Sequence, residues 1–354
     1  MNLTPSPFAP SEFPNLPDID GVMAATASRG FYAHRGLERD DVFLFQFAPG
    51  TTCAGVFTRS TTASADVHWC RQALAESGGH ASGLVVNSGN SNAFTGPKGV
   101  LKNDATLAAM MQALGAEKSH CYLGATGVIG EPLPDPNYVG SIVPQMAAQA
   151  DTPDWLSCAK AFMTTDTFPK GAGWTGKIGD APVSIAGIAK GSGMIAPNMA
   201  TMLAYVFTDI AVTPDVLDAA LRTVCDDSFN AITVDSDTST SDSLMVFATG
   251  KSSAHPIERL DDPRYSDFVE ALRTVCLDLA TQIVKDGEGA SKFITVSVAG
   301  PKTDHDAKTI ARDIANSPLV KTALAANDAN WGRVVMAAGK SGVEMDQTTD
   351  LLYK

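Results

Sequence analysis

The sequence offers no disulfide or metal framework: its six cysteines, Cys53, Cys70, Cys121, Cys158, Cys225 and Cys276, are scattered without a Cys-x-x-Cys pair. Each lies within an apolar pattern, so all six are expected to be reduced, buried thiols of a cytoplasmic protein. The six histidines show no triad-like or metal-like arrangement, and no metal site is expected. Positive charge is also short. Twenty-six Lys and Arg stand against 39 Asp and Glu, a net charge of −13 with no basic cluster, which argues against nucleic acid or an anionic membrane as partner. No apolar run approaches the roughly 20 residues that span a bilayer, and no basic segment followed by an apolar one opens the chain.

What is present suits a soluble globular protein: 44% apolar and 18% charged residues, in a chain of 354 that suffices for one large layered domain or two abutting ones. Pro5, Pro7, Pro10, Pro14 and Pro17 make the opening an extended arm that drapes over the body. Strand-like runs follow at Val42 to Phe47 and Ala54 to Phe57, separated by Pro49-Gly50 as in a hairpin or meander. Further strands are predicted at Leu84 to Val86, Cys121 to Leu123, Val183 to Ile188, Met202 to Phe207, Leu244 to Ala248 and Phe293 to Val298. Helices are predicted at Asp66 to Glu76, Lys102 to Leu114, Trp155 to Phe162, Phe268 to Val284 and Asp306 to Ile314. Another starts with Thr213 as N-cap and Pro214 as its first residue. This alternation reads as an α/β protein of layered sheets and helices.

The most informative stretch runs from Lys190 to Phe207, where the turn Gly191-Ser192-Gly193 and Pro197-Asn198 lead to Thr201 and an unbroken apolar strand. A threonine at a strand start is ordinary, but so constrained a turn before it is not. Gly191 to Ala196 also fits the dinucleotide pattern GxGxxA. That reading fails because Met194 to Thr201 leaves too few residues for a crossover helix and contains Pro197. Thr126-Gly127, after a short strand, pairs a hydroxyl with a glycine N–H, a combination able to stabilise an oxyanion. Three other segments are polar where a plain turn would suffice: Asn87 to Gly96, Thr164-Thr165-Asp166-Thr167, and Asp286-Gly287-Glu288-Gly289-Ala290. The run Thr233 to Asp242 lacks the glycine and terminal glutamate of a calcium loop and is expected to line a site or face solvent.

Taken together, Lys190 to Thr201, Thr126-Gly127, Thr164 to Thr167, Thr233 to Asp242 and Asp286 to Ala290 closely resemble segments of the glutamate N-acetyltransferase/ornithine acetyltransferase family of arginine biosynthesis. The resemblance implies an αββα-type layered sandwich that cuts itself between Ala200 and Thr201, leaving residues 1–200 and 201–354 as two chains that stay together. It implies Thr201 as nucleophile, Thr126 and Gly127 as oxyanion hole, and Thr164, Lys190, Thr201 and Glu288 as substrate-binding residues, with Thr165 second choice to Thr164. N-acetylornithine would acetylate Thr201 and glutamate would take the acetyl group. No cofactor is implied, beyond acetyl-CoA as a possible donor if a first step is also catalysed. A cytoplasmic heterotetramer of two α and two β chains is the implied assembly.

The released α-amine of Thr201, with an unperturbed pKa of roughly 7.7–8.0, would act as base for its own hydroxyl, so no histidine is required. Two alternatives stand beside the transferase. One is amide hydrolysis on the same fold, as in related aminopeptidases. The other is a relative with weakened transfer, because the family's terminal tail brings an asparagine and a hydroxyl residue into the site and nothing after Val343 matches them.

Overall fold

A computed structural model describes residues 4–196 and 202–345. Two sheets lie face to face with helices outside them. The first has the order β1-β2-β4-β5, built from β1 (Val22–Ala27), β2 (Val42–Phe47), β4 (Gly83–Asn87) and β5 (Cys121–Ala125). The second has the order β3-β9-β8-β7-β6, from β3 (Thr52–Phe57), β6 (Lys170–Ile178), β7 (Ala181–Lys190), β8 (Leu203–Thr208) and β9 (Ser243–Ala248). Only β4–β5 and β8–β9 pair in parallel; the other neighbours are antiparallel.

Side-chain alternation explains the layers. Leu203, Tyr205 and Phe207 of β8 face inward and meet Phe43, Phe45, Leu84 and Tyr122 of the other sheet. Phe45 and Phe207 lie 4.5 Å apart between ring centres, and Phe47 stacks on Phe247 at 4.4 Å. Ala204 and Val206 point the other way, onto α5 (Pro214–Asp227) and α6 (Tyr265–Lys285). Residues Val42, Leu44, Val85 and Leu123 turn outward onto α2 (Pro97–Leu114) and α3 (Val143–Gln149). Because both strand faces are buried, the sequence of β8 is continuously apolar instead of alternating. The layer order is therefore αββα. Helix α1 (Ala65–Ser77) packs on edge strands β3 and β5, and α4 (Trp155–Ala161) on edge strands β1 and β6, so each closes one side of the sandwich. A smaller cluster of α7 (Asp304–Ala315), α8 (Pro318–Ala325) and α9 (Trp331–Gly339) packs around Ile310, Ile314, Val320 and Ala337.

The proline-rich opening forms the expected arm. Phe13 and Leu16 lie on Gly171, where an added Cβ would come within 2.4 Å of the Phe13 ring. Ser6 N–H donates to Thr167 Oγ1 at 2.9 Å, and Trp155 Nε1–H to Pro17 O at 3.1 Å.

Two expectations are corrected, and a third holds in position but not in its side-chain bond. β2 and β3 form no hairpin: the Pro49-Gly50 turn carries the chain from one sheet to the other, where β2 pairs with β1 and β4, and β3 with β9. Residues 291–300 form no strand; Val296 and Val298 pack against the α7–α9 cluster instead. Thr213 stands at the N-cap of α5 with extended backbone, but its side chain makes no capping bond and its Oγ1 is turned to Glu258 O at 3.5 Å. Strands β1 and β6 and helix α3 escaped the sequence reading, since β1 (VMAATA) and β6 (KGAGWTGKI) are too poor in large apolar residues to stand out.

Candidate active site

Both sheets end at one place. In the first, Asn87 and Ala125 are abreast at the C-terminal ends of parallel β4 and β5, with Thr126-Gly127 directly beyond. In the second, Lys190 at the end of β7 is abreast of Leu203, and Leu203 of Ser243, so Lys190, Met202 and Asp242 cluster at a single edge. A hydrogen bond joins the two ends: Lys190 Nζ donates to Thr126 Oγ1 at 3.2 Å. Thr126 is buried, and its N–H is held by Asn87 O at 3.0 Å. Gly127 is exposed with φ +133°, and an added Cβ would lie 2.3 Å from Gly89 C, so only glycine fits there. Among the described residues its N–H makes no hydrogen bond.

The chain leaving Lys190 is tied at nearly every step. Gly191 N–H donates to Asp166 Oδ1 at 2.6 Å, Ser192 Oγ to Asp286 O at 2.7 Å, and Glu288 N–H to Ser192 O at 2.9 Å. Met194, at φ +63°, and Ile195 donate their N–H groups to Asp235 at 2.5 and 2.9 Å. Below this turn lies a fully buried ion triad. Lys170 Nζ pairs with Asp166 at 2.8 Å and Asp286 at 2.6 Å, all three side chains at 0% exposure. Burial alone would raise the Asp166 carboxyl, but the Lys170 and Lys190 charges and its hydrogen bonds pull it well below the usual carboxylate range. Asp166 also accepts the Thr164 N–H at 2.9 Å, linking that threonine to the turn.

Lys190 is partly buried, and burial together with the Lys170 charge lowers its pKa, against the opposing pull of Asp166, Asp242 and Glu288. Glu288 is exposed and presses on Gly193, where an added Cβ would meet its Cδ at 2.7 Å. Asp242 is 1% exposed, and neither of its carboxylate oxygens has a hydrogen-bond partner among the described residues. Met202 N–H and the Ser239 N–H and hydroxyl lie near it, too loosely for a formed bond; burial dominates and raises its pKa well above the ordinary value.

The sequence-derived residues Thr126, Gly127, Thr164, Lys190 and Glu288 thus fall around one edge of the sandwich. Thr164 is half-buried and Thr165 exposed. Ala200 and Thr201 lie outside the described residues, as do Pro197 to Met199. Sequence reasoning gave no role to Asp166, Lys170, Asp286 or Asp242. A signal did exist for Asp166, Asp286 and Asp242, which stand inside the polar motifs; Lys170 is recognisable only once its burial is known.

A profile of the ArgJ family matches residues 25–352. The arginine biosynthesis bifunctional protein ArgJ of Bradyrhizobium diazoefficiens is 50% identical over 350 residues, covering 98% of this chain and 83% of that protein. The protein of the same name from Bartonella quintana is 51% identical over 354 residues, covering 99% and 84%. Among solved structures, ornithine acetyltransferase from Mycobacterium tuberculosis, complexed with ornithine, is 29% identical and aligns over 51% of this chain and 93% of its own at a TM-score of 0.43. With a family profile and half-identical relatives running along nearly its whole length, the chain belongs to the ArgJ family.

Proposed function

We propose that the chain is a self-cleaving acetyltransferase of arginine biosynthesis that moves an acetyl group from N-acetylornithine to glutamate through an acetyl ester on Thr201. The observation that carries this reading is the Lys190–Thr126 bond, which draws the hydroxyl, the Gly127 N–H and an ammonium to the edge where Met202 enters β8. Cutting before Thr201 would give residues 1–200 and 201–354, held together by β7–β8 pairing and the shared core.

In this mechanism the Thr201 oxygen attacks the acetyl carbonyl while its proton passes to the Thr201 α-amine. Thr126 Oγ–H and Gly127 N–H hold the oxyanion. The ammonium returns the proton to the departing ornithine nitrogen as the C–N bond breaks, and glutamate's amine reverses the sequence. Lys190 and Thr164 bind substrate, with Lys190 facing a carboxylate; Glu288 at the rim faces a substrate ammonium. The assembly is a heterotetramer of two α and two β chains.

Incubation with N-acetylornithine, with and without glutamate, tests the reading. Ornithine and N-acetylglutamate are expected in equal amounts when glutamate is present, and Thr201→Ala is expected to form neither. Free acetate released equally fast without glutamate would assign the site to an amidohydrolase instead.

A further inference from the structure

We propose that Ser6 of the opening arm is a positioning residue for the acetyl donor: it fixes the segment that carries Glu288, and with it the side chain that faces the donor's ammonium. This rests on the reading above. Ser6 is half-buried and makes two bonds outside the arm. Its Oγ–H donates to Lys285 O at 2.5 Å, and its N–H to Thr167 Oγ1 at 2.9 Å. Lys285 is the last residue of α6, so its carbonyl is one of those a helix end leaves without an internal partner, and Ser6 provides that partner from 279 residues away.

Both bonds bear on the same place. Thr167 N–H donates to Asp286 Oδ2 at 2.9 Å and its hydroxyl to Asp286 Oδ1, so the oxygen that accepts from Ser6 also grips the residue after Lys285. Asp286 is held besides by Lys170, and its carbonyl accepts from Ser192. Glu288 follows between Gly287 and Gly289, its N–H on Ser192 O and its side chain against Gly193. Glycines on both sides leave it few constraints of its own, so its placement depends on the clamps at 285 and 286.

The arm is shaped to present that hydroxyl. Pro5 and Pro7 stiffen the backbone on either side of Ser6. Ser6 Oγ accepts the Phe8 N–H at 3.2 Å and Ser6 O the Ala9 N–H at 3.0 Å, which closes a turn headed by Ser6. An arm that only covered apolar surface would need Phe13 and Leu16 on Gly171, but neither of the outward bonds of Ser6.

The two substrates separate these roles. N-acetylornithine keeps a free side-chain ammonium, whereas the only amine of glutamate is the one that takes the acetyl group. In a ping-pong reaction kcat/KM for each substrate reports its own half-reaction. The test is therefore Ser6→Ala, with kcat/KM measured for each substrate in turn. The value for N-acetylornithine is expected to fall about three- to tenfold, chiefly as a higher KM, and that for glutamate to stay within about twofold. Ser6→Thr keeps the hydroxyl and is expected to restore the donor value. Thr167→Val removes the bond to Asp286 as well and is expected to show the same selective loss, which decides the matter should S6A fold poorly. An arm that serves stability alone would lower both values together or neither, and either result overturns the proposal, as does a threonine variant as impaired as the alanine one. A wild type that transfers no acetyl group would refute the proposed function itself, whereas a transferring wild type with an unselective S6A refutes the role of Ser6 alone.

Discussion

Thr126 serves two neighbours with one hydroxyl: its oxygen accepts from Lys190, which leaves its own O–H free for an oxyanion. Thr126→Val keeps the shape and removes that donor, so kcat is expected to fall about 10²–10³-fold with little change in KM, read from steady-state transfer kinetics. Lys170 neutralises two buried carboxylates, and Lys170→Met is expected to cost roughly 3–5 kcal/mol in denaturant unfolding, since Asp166 and Asp286 lose their shared cation. The pH dependence follows from Asp166, whose folded pKa is depressed. Its stabilising contribution is present above the unfolded value of roughly 3.9 and is lost as pH falls through that value toward the folded one. Wild-type stability is therefore expected to decline below about pH 4, and that slope to flatten in K170M. At this scale Thr126, Gly127, Lys190 and Glu288 were legible because they stand in unusual short motifs. Lys170 was not, since a lysine reads as a solvated side chain until burial shows otherwise.

Long, strongly apolar elements such as β8 and α5 were readable from pattern alone, whereas the partners of a strand were not. β2 and β3 are separated by only a short turn, yet they pair in different sheets, because what settles pairing is the remote edge each strand meets. Residues 291–300, apolar and alternating in part, form no strand and give Val296 and Val298 to the α7–α9 cluster. Tyr205 of β8 supplies a prediction at this scale. Its hydroxyl is buried between the sheets without a partner among the described residues, and an added Cβ on Gly124 would lie 2.2 Å from it. Tyr205→Phe removes an unsatisfied polar atom and keeps the ring packing, so the melting temperature is expected to stay level or rise, corresponding to about 0–1 kcal/mol.

The molecule as a whole is a four-layer sandwich whose two sheets run out at one edge, and that edge gathers polar segments from six separated parts of the sequence: 87–96, 126–130, 164–170, 190–196, 233–242 and 286–290. The arm at the opening of the chain reaches the same region, with Ser6 on Thr167, whose N–H is in turn held by Asp286 of the triad. No helix among the described residues is long and apolar enough to cross a membrane. The layered α/β class was accessible from alternation of strands and helices, but the convergence of these segments was not, since it depends on closing two sheets over a shared aromatic core.

The central claim is that this edge cuts the chain at Thr201 and then uses the new terminus to carry acetyl. Intact-mass measurement of the purified protein, before and after brief incubation with N-acetylornithine without glutamate, tests both halves at once. The account predicts two polypeptides, the second beginning at Thr201 and becoming heavier by one acetyl group on incubation. A single uncut chain, or a second polypeptide whose mass never changes, would contradict it.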